Sequence, residues 1–162
     1  MVAISFSVKK EELLNGRKRQ TIRRRNPERI EQMKEHGIQV YWKQRSKEGS
    51  KLFNAELTEH FIIKFKRWKS FRPTARAYPD GIVMYIKLSE DGNWTTAPYS
   101  FMNNVAKADG FSNFEELWDC LTDLYSEQEV LNTIYDVIIF EEVKDIHSQK
   151  SQSQNYPKNR QI

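Results

Sequence analysis

Between Gly16 and Arg25 the chain reads Gly-Arg-Lys-Arg-Gln-Thr-Ile-Arg-Arg-Arg, and six of the nine residues from Arg17 to Arg25 are basic. These residue types suit anion chemistry. The Lys18 ammonium, the Thr21 hydroxyl and the guanidinium forks of Arg17, Arg19, Arg23, Arg24 and Arg25 are closely spaced. Together they fit a phosphate or the edge of a nucleobase. Thr21 and Ile22 are β-branched and favour extended backbone, so the segment is expected as a strand or extended loop on a surface that no apolar core recruits. Side-chain alternation would set Arg17, Arg19, Thr21 and Arg23 on one side, with Lys18, Gln20 and Ile22 on the other. The bland alternative is a solvated basic loop.

A second basic stretch covers 66–76, where Lys66, Arg67, Lys69, Arg72 and Arg76 alternate with Trp68 and Phe71. Interleaved cations and rings grip a single nucleic acid strand through its phosphates and stacked bases. The same pattern also describes a strand with aromatics in the core and lysines in water. Arg24, Arg25, Arg67 and Arg72 are the candidates for backbone contacts, and Trp42 and Trp68 for stacking. Charge is unevenly spread along the chain. Residues 1–87 hold 21 Lys and Arg against 9 Asp and Glu, whereas residues 88–145 hold 2 against 13. Such asymmetry points to a polyanionic partner for the first half. Internal neutralisation across one fold, or a dimer pairing basic with acidic faces, would use it equally.

The elements that must position these residues follow from periodicity and punctuation. Ile4, Phe6 and Val8 alternate with serines, which predicts an opening strand. Ser7 then caps a short helix to Asn15 that turns Leu13 and Leu14 inward and closes at Gly16. Asn26-Pro27 starts a helix carrying Ile30 and Met33, which stops at Gly37. Strands are expected over 38–44, over 51–71 as one bent strand or two (Phe61, Ile63 and Phe65 facing one way), and over 82–88. A helix follows near Tyr99 to Lys107. Ser112 and Glu115 fit a capping box for a second helix, with Leu117, Trp118, Leu121, Leu124 and Tyr125 on its buried face. An apolar strand, 135–143, sits centrally in the sheet.

With 162 residues, the chain is expected to form one domain over 1–145, followed by a polar tail, 146–162, with little to bury and therefore disordered. Hydrophobic content is only 38%, so the core depends on the aromatics. The lone Cys120 and the scattered His36, His60 and His147 make no metal motif, and no cofactor is expected. No apolar run approaches the roughly 18 residues of a spanning helix, so no membrane partner is expected and a cytoplasmic location is the default. Mixed strands with few helices indicate an α+β class with a small curved or barrel-like sheet.

Gly16-x-Lys18-x-x-Thr21-x-Arg23, followed by a helix and then a strand starting after Gly37, resembles the opening of ASCH domains. This is the activating signal cointegrator homology family of the PUA-like superfamily. The stretch Ala106-Lys107-Ala108-Asp109-Gly110-Phe111-Ser112, with Glu115-Glu116-Leu117 and Tyr125 beyond it, is similar to a late helix-turn-helix of that family, and the strand from Tyr135 to Phe140 to its last strand. The likeness covers residues 2–143, with 68–98 longer than in the shortest members. It implies a small mixed β-barrel with helices packed at its openings, and a site in the cleft beside the Gly-x-Lys-x-x-Thr-x-Arg loop. It also implies that RNA, single-stranded nucleic acid or a nucleotide is the partner.

One bacterial group that is similar in Lys18, Thr21 and an acid matching Asp109 hydrolyses the acetyl amide of acetylated cytidine, and other relatives are ribonucleases. That amidohydrolase group has Glu where this chain has Asp109, one methylene shorter. The resemblance thus implies two classes of function: a basic cleft that binds, or a hydrolase. In the hydrolase, Lys18 would activate Thr21, Asp109 would orient the lysine or exchange protons, and Arg23 would steady an oxyanion. A protein-interaction domain whose acidic half docks a basic partner is the third possibility.

Overall fold

The computed structural model describes residues 1–44, 47–67 and 81–144. Trp68, Arg72 and the tail 146–162 lie outside the described residues. In chain order the elements are β1 (Val2–Phe6), α1 (Lys10–Leu14), β2 (Gln20–Arg24), α2 (Pro27–His36), β3 (Ile38–Trp42), β4 (Lys51–Arg67), β5 (Ile82–Lys87), β6 (Thr95–Thr96), α3 (Tyr99–Ala108), α4 (Phe114–Leu124), α5 (Glu127–Leu131) and β7 (Ile134–Glu142). The class is α+β, one seven-stranded sheet with five helices among the described residues.

β4 is the spine. One of its edges takes β7 antiparallel over Ala55–Lys64, while the other takes β3 near its start and β5 near its end. β7 carries β2 on its far edge, and β1 lies parallel to β3. The path β2-β7-β4-β3-β1 curls until its two ends approach each other, but among the described residues strand pairing does not close it. Of the expected small mixed barrel, the structure shows the α+β class and a curled sheet, left open among the described residues. Arginine side chains bridge the seam instead: Arg23 Nη2 donates to the Ser5 carbonyl at 2.7 Å and Arg29 Nη2 to that of Ala3 at 2.5 Å. A register shift between Leu57 and Glu59 interrupts the β4–β7 ladder, and such an extra residue bends and twists a strand.

The sheet is apolar on both faces, as the unbroken run in β7 requires. Tyr135 and Val137 face a core shared with Ile63, Phe65 and the α3–α5 helices, whereas Ile138 and Phe140 face one shared with β1, β3, Leu13 and α2. Phe65 is the centre of the first core, with ring centroids 5.6–6.0 Å from those of Trp118, Tyr135 and Phe114.

Several boundaries follow the chemistry of the caps. Asn26 accepts from the Arg29 N–H and Pro27 opens α2. The α4 cap is Asn113 rather than Ser112: Asn113 accepts from the Glu116 N–H, and the Glu116 carboxylate reaches back to the Ser112 N–H. The box has moved one residue along because an asparagine oxygen caps as well as a serine's. Ser7 caps nothing, since α1 starts from Lys9 in a left-handed conformation. Leu14 and Leu124 are exposed rather than core, each ending a helix where the burying surface runs out. The five-residue α5, capped by Ser126, and the two-residue β6 were not expected.

Phe65→Ala should cost about 3–5 kcal/mol in a urea unfolding curve. A loss below about 1 kcal/mol would mean that the three surrounding rings do not depend on it.

Candidate functional site

The turn after α1 brings the basic segment against the rest of the fold. Gly16 takes φ +84°, and the Lys18 N–H donates to the Glu12 carbonyl at 2.9 Å. Arg19 folds back beneath this turn. Its Nη1 donates to the Leu13 and Lys18 carbonyls at 2.5 and 3.1 Å, its guanidinium lies 5.0 Å from the Phe53 ring centre, and Glu142 pairs with it at 3.7 Å. Arg17 stays exposed.

Lys18 is only 4% exposed and Thr21 only 5%, which overturns the expectation of a wholly surface segment. Thr21 lies on β2, covered by the curl. Lys18 is drawn inward by the end of α3. There Gly110, at φ +97°, reverses the chain so that Phe111 N–H bonds the Ala106 carbonyl and Gly110 N–H that of Lys107, a glycine-terminated helix end. This geometry presents both the carbonyl and the carboxylate of Asp109 to Lys18 Nζ, at 2.5 and 3.2 Å. A cation at a helix C-terminus is favoured by the backbone dipoles. Burial pushes the Asp109 carboxyl up, from 3.8 to about 6, against the opposing charge and hydrogen bond of Lys18 and the charge of Arg23.

Arg23 connects this pair to Thr21. Its Nε donates to Thr21 Oγ1 at 3.0 Å, and its guanidinium and the Lys18 ammonium lie 5.4 and 5.6 Å from the Phe6 ring centre. Lys18 and Asp109 therefore converge, with Thr21 beside them through Arg23. Among the described residues no hydrogen bond joins Thr21 to Lys18 or Asp109.

A hollow of about 360 Å³ opens at the seam next to this cluster. It is lined by Arg23, Arg24, Arg25, Arg29, Asn26 and Tyr125, by the apolar Ile4, Ile30, Met33 and Ile138, and by the Asp136 carboxylate that Arg25 pairs. Arg24 lies 4.7 Å over the Tyr125 ring and 3.6 Å from Glu129, in an ion pair whose two side chains are each 59% exposed. Arg25 is rigid by comparison, bonded to Asp136 at 2.8 Å and to Glu90. Asp136, 1% exposed, also meets His60 Nε2 at 2.8 Å and the Asn26 N–H at 2.7 Å. Burial pushes its carboxyl up, but the hydrogen bonds from His60 and Asn26 and the charge of Arg25 override this and hold it below the usual range.

Ion pairs also account for part of the charge asymmetry. Lys18–Asp109, Arg19–Glu142, Arg24–Glu129, Arg25–Glu90, Arg25–Asp136 and Arg67–Glu127 each join a cation of the first half to an acid of the second. Part of the basic character is thus neutralised within the fold. Trp42 stands half-buried at the end of β3, with the ammonium groups of Lys10 and Lys43 each 5.7 Å from its ring.

Sequence reasoning missed Phe6, Arg29, His60, Tyr125 and Asp136. Only Asp136 left a signal: an acid inside an otherwise apolar strand. Among the described residues no group of three or more His, Cys, Asp or Glu could hold a metal ion, and no helix is long and apolar enough to cross a membrane. No family model, curated protein or solved structure matches the chain.

Because folding raises the Asp109 pKa, the folded chain keeps a proton that the unfolded chain releases between pH 3.8 and about 6. Its contribution to stability is therefore greatest below that window and falls as pH rises through it. The Asp109 carboxyl should titrate near 6 by NMR, and higher still in Lys18→Met, where the opposing charge is gone. A midpoint near 4 in both proteins would place the carboxyl in water.

Proposed function

We propose that the chain binds RNA or a nucleotide at the arginine-rimmed seam between β1 and β2. The single observation that carries this reading is the hollow of about 360 Å³ lined by four guanidinium groups against one carboxylate, Asp136, which Arg25 already pairs, with apolar side chains and a tyrosine completing its wall. That volume lies within the usual range of small-ligand sites. Guanidinium forks match phosphate oxygens, while the apolar side chains and Tyr125 suit a base or ribose. Arg24 is the most readily recruited, because an exposed pair such as Arg24–Glu129 is worth little and a phosphate competes with it easily. Arg25, fixed by Asp136, supplies a preoriented charge. The resemblance of Gly16-x-Lys18-x-x-Thr21-x-Arg23 to the ASCH loop supports the reading, and an open curl of five strands is compatible with the PUA-like barrel that the resemblance implies. No cofactor enters.

A second reading, hydrolysis, is favoured by the buried Lys18–Asp109 contact, with Asp109 pushed up to about 6. An acid near neutrality gives and takes protons readily. Thr21 Oγ would bond to the acyl carbon of an acetylated cytidine, and the C–N bond would break with a proton passed to the leaving amine. Water would then release acetate from the threonine ester. Arg23, already at Thr21, would steady the oxyanion. Alternatively the same groups would act on RNA as a ribonuclease.

Binding of a labelled single-stranded RNA should weaken steeply with salt, and Arg24→Glu should weaken it by at least about tenfold and lower the salt slope by about one. Thr21→Ala should bind as the wild type does. Salt-independent binding would overturn the seam reading. Release of acetate from acetylcytidine or cleavage of RNA, abolished by Lys18→Ala and by Asp109→Asn, would establish the hydrolase; its absence from the wild-type protein would exclude it.

A further inference from the structure

We propose that a second contact for single-stranded nucleic acid lies on the β4–β5 ribbon, where Trp94 stacks a base and Lys64 and Lys87 hold its flanking phosphates. The proposal rests on the seam reading and extends it to a longer ligand. Lys64 and Tyr85 are direct cross-strand partners, and Tyr85 in turn faces Thr96 of β6, which sets Trp94 at the head of β6 beside them. The Lys64 ammonium lies 4.2 Å from the Trp94 ring centre and 5.7 Å from that of Tyr85, and the Lys87 ammonium lies 5.8 Å from Trp94. All four side chains are partly exposed.

The contrast with β2 is what points to a ligand. The basic residues Arg19, Arg24 and Arg25 each meet a carboxylate of their own chain. Among the described residues neither Lys64 nor Lys87 has a carboxylate within ion-pair distance. Glu90 and Asp91 follow in the next turn; Glu90 is paired with Arg25, and it feels the charge of Lys87 without lying within ion-pair distance of it. Two ammonium groups over one half-exposed indole form a basic, aromatic surface suited to alternating phosphates and π-faces. The opposite face of the ribbon, with Ile63, Phe65, Ile82 and Met84, is core, so the platform rests on rigid strands.

Register places it relative to the seam. Arg23 pairs with Asp136, Asp136 with Ile62, and Ile62 with Lys87. These four residues form one row across β2, β7, β4 and β5, and three strand spacings amount to about 14 Å. A few nucleotides span that distance. A separate hollow that includes Ile62 of this row is lined by Glu31, Glu59 and Glu90 as well as Lys34 and His60, so the ligand is held at two points rather than along a continuous basic groove. Linked contacts of this kind raise affinity for a ligand long enough to reach both.

Fluorescence anisotropy with a labelled oligouridylate of about 12 nucleotides, beside competition by UMP, separates the two contacts. Trp94→Ala should weaken the oligonucleotide about tenfold or more and leave UMP unaffected, while Trp94→Phe keeps most of the affinity. The surface double variant Lys64→Gln/Lys87→Gln, which perturbs no core residue, should reduce the salt slope by one to two. Unchanged oligonucleotide affinity and slope in the lysine double variant, with binding still lost in Arg24→Glu, overturns the platform and leaves the seam standing. Failure of the wild-type protein to bind any oligonucleotide overturns both.

Discussion

A carboxylate sealed into the middle of an apolar strand dictates much of this architecture. Asp136 is taken out of water, and an uncompensated charge there would cost several kcal/mol. Three donors from three different elements meet it: the first backbone N–H before α2, His60 of β4, and Arg25 just beyond β2. Each favours the ionised carboxyl, and each ties its own element to that point. Arg25 carries the constraint further by holding Glu90, in the turn that follows β5. One buried charge in this way ties the helix entry, the central strand pair and the hairpin turn to a common point. The rigid end of the basic segment is a consequence.

The other end of that segment is fixed by a different balance. Lys18 meets Asp109 where α3 terminates, and burial there works against the carboxylate instead of being overridden. The two buried acids therefore respond to pH in opposite senses. Asp136 adds stability above its unfolded titration range and loses it as the carboxyl is protonated; Asp109 costs stability once it ionises. A carboxyl with three donors is a structural anchor. One with a single cation and little water retains its proton chemistry.

Between these anchors the arginines on and flanking β2 do two jobs that composition cannot separate. Arg19 and Arg25 hold the fold, and Arg23 closes a seam that strand pairing leaves open. Arg24 stays at the rim with a loosely held partner. The same curl that leaves the seam unzipped makes the adjoining hollow, because side chains long enough to cross a gap between strands also leave space beneath them.

Much of the scaffold was legible in the residues themselves. The Asn26-Pro27 start, the Gly37 stop, the alternation of Phe61, Ile63 and Phe65, and the central apolar strand all rest on local rules of capping and periodicity that act over a few residues. The positions of Lys18, Thr21 and Arg23 were readable as a cluster for the same reason. What the sequence alone could not supply was which charges meet. Arg25 finds Asp136 across 111 positions and Lys18 finds Asp109 across 91, and nothing local marks such partners. Whether a cation faces water or an acid of its own chain depends on how the sheet curls, and that depends on the summed packing of two cores. Local propensity determined the elements; long-range packing decided which of their charges remained available to a ligand.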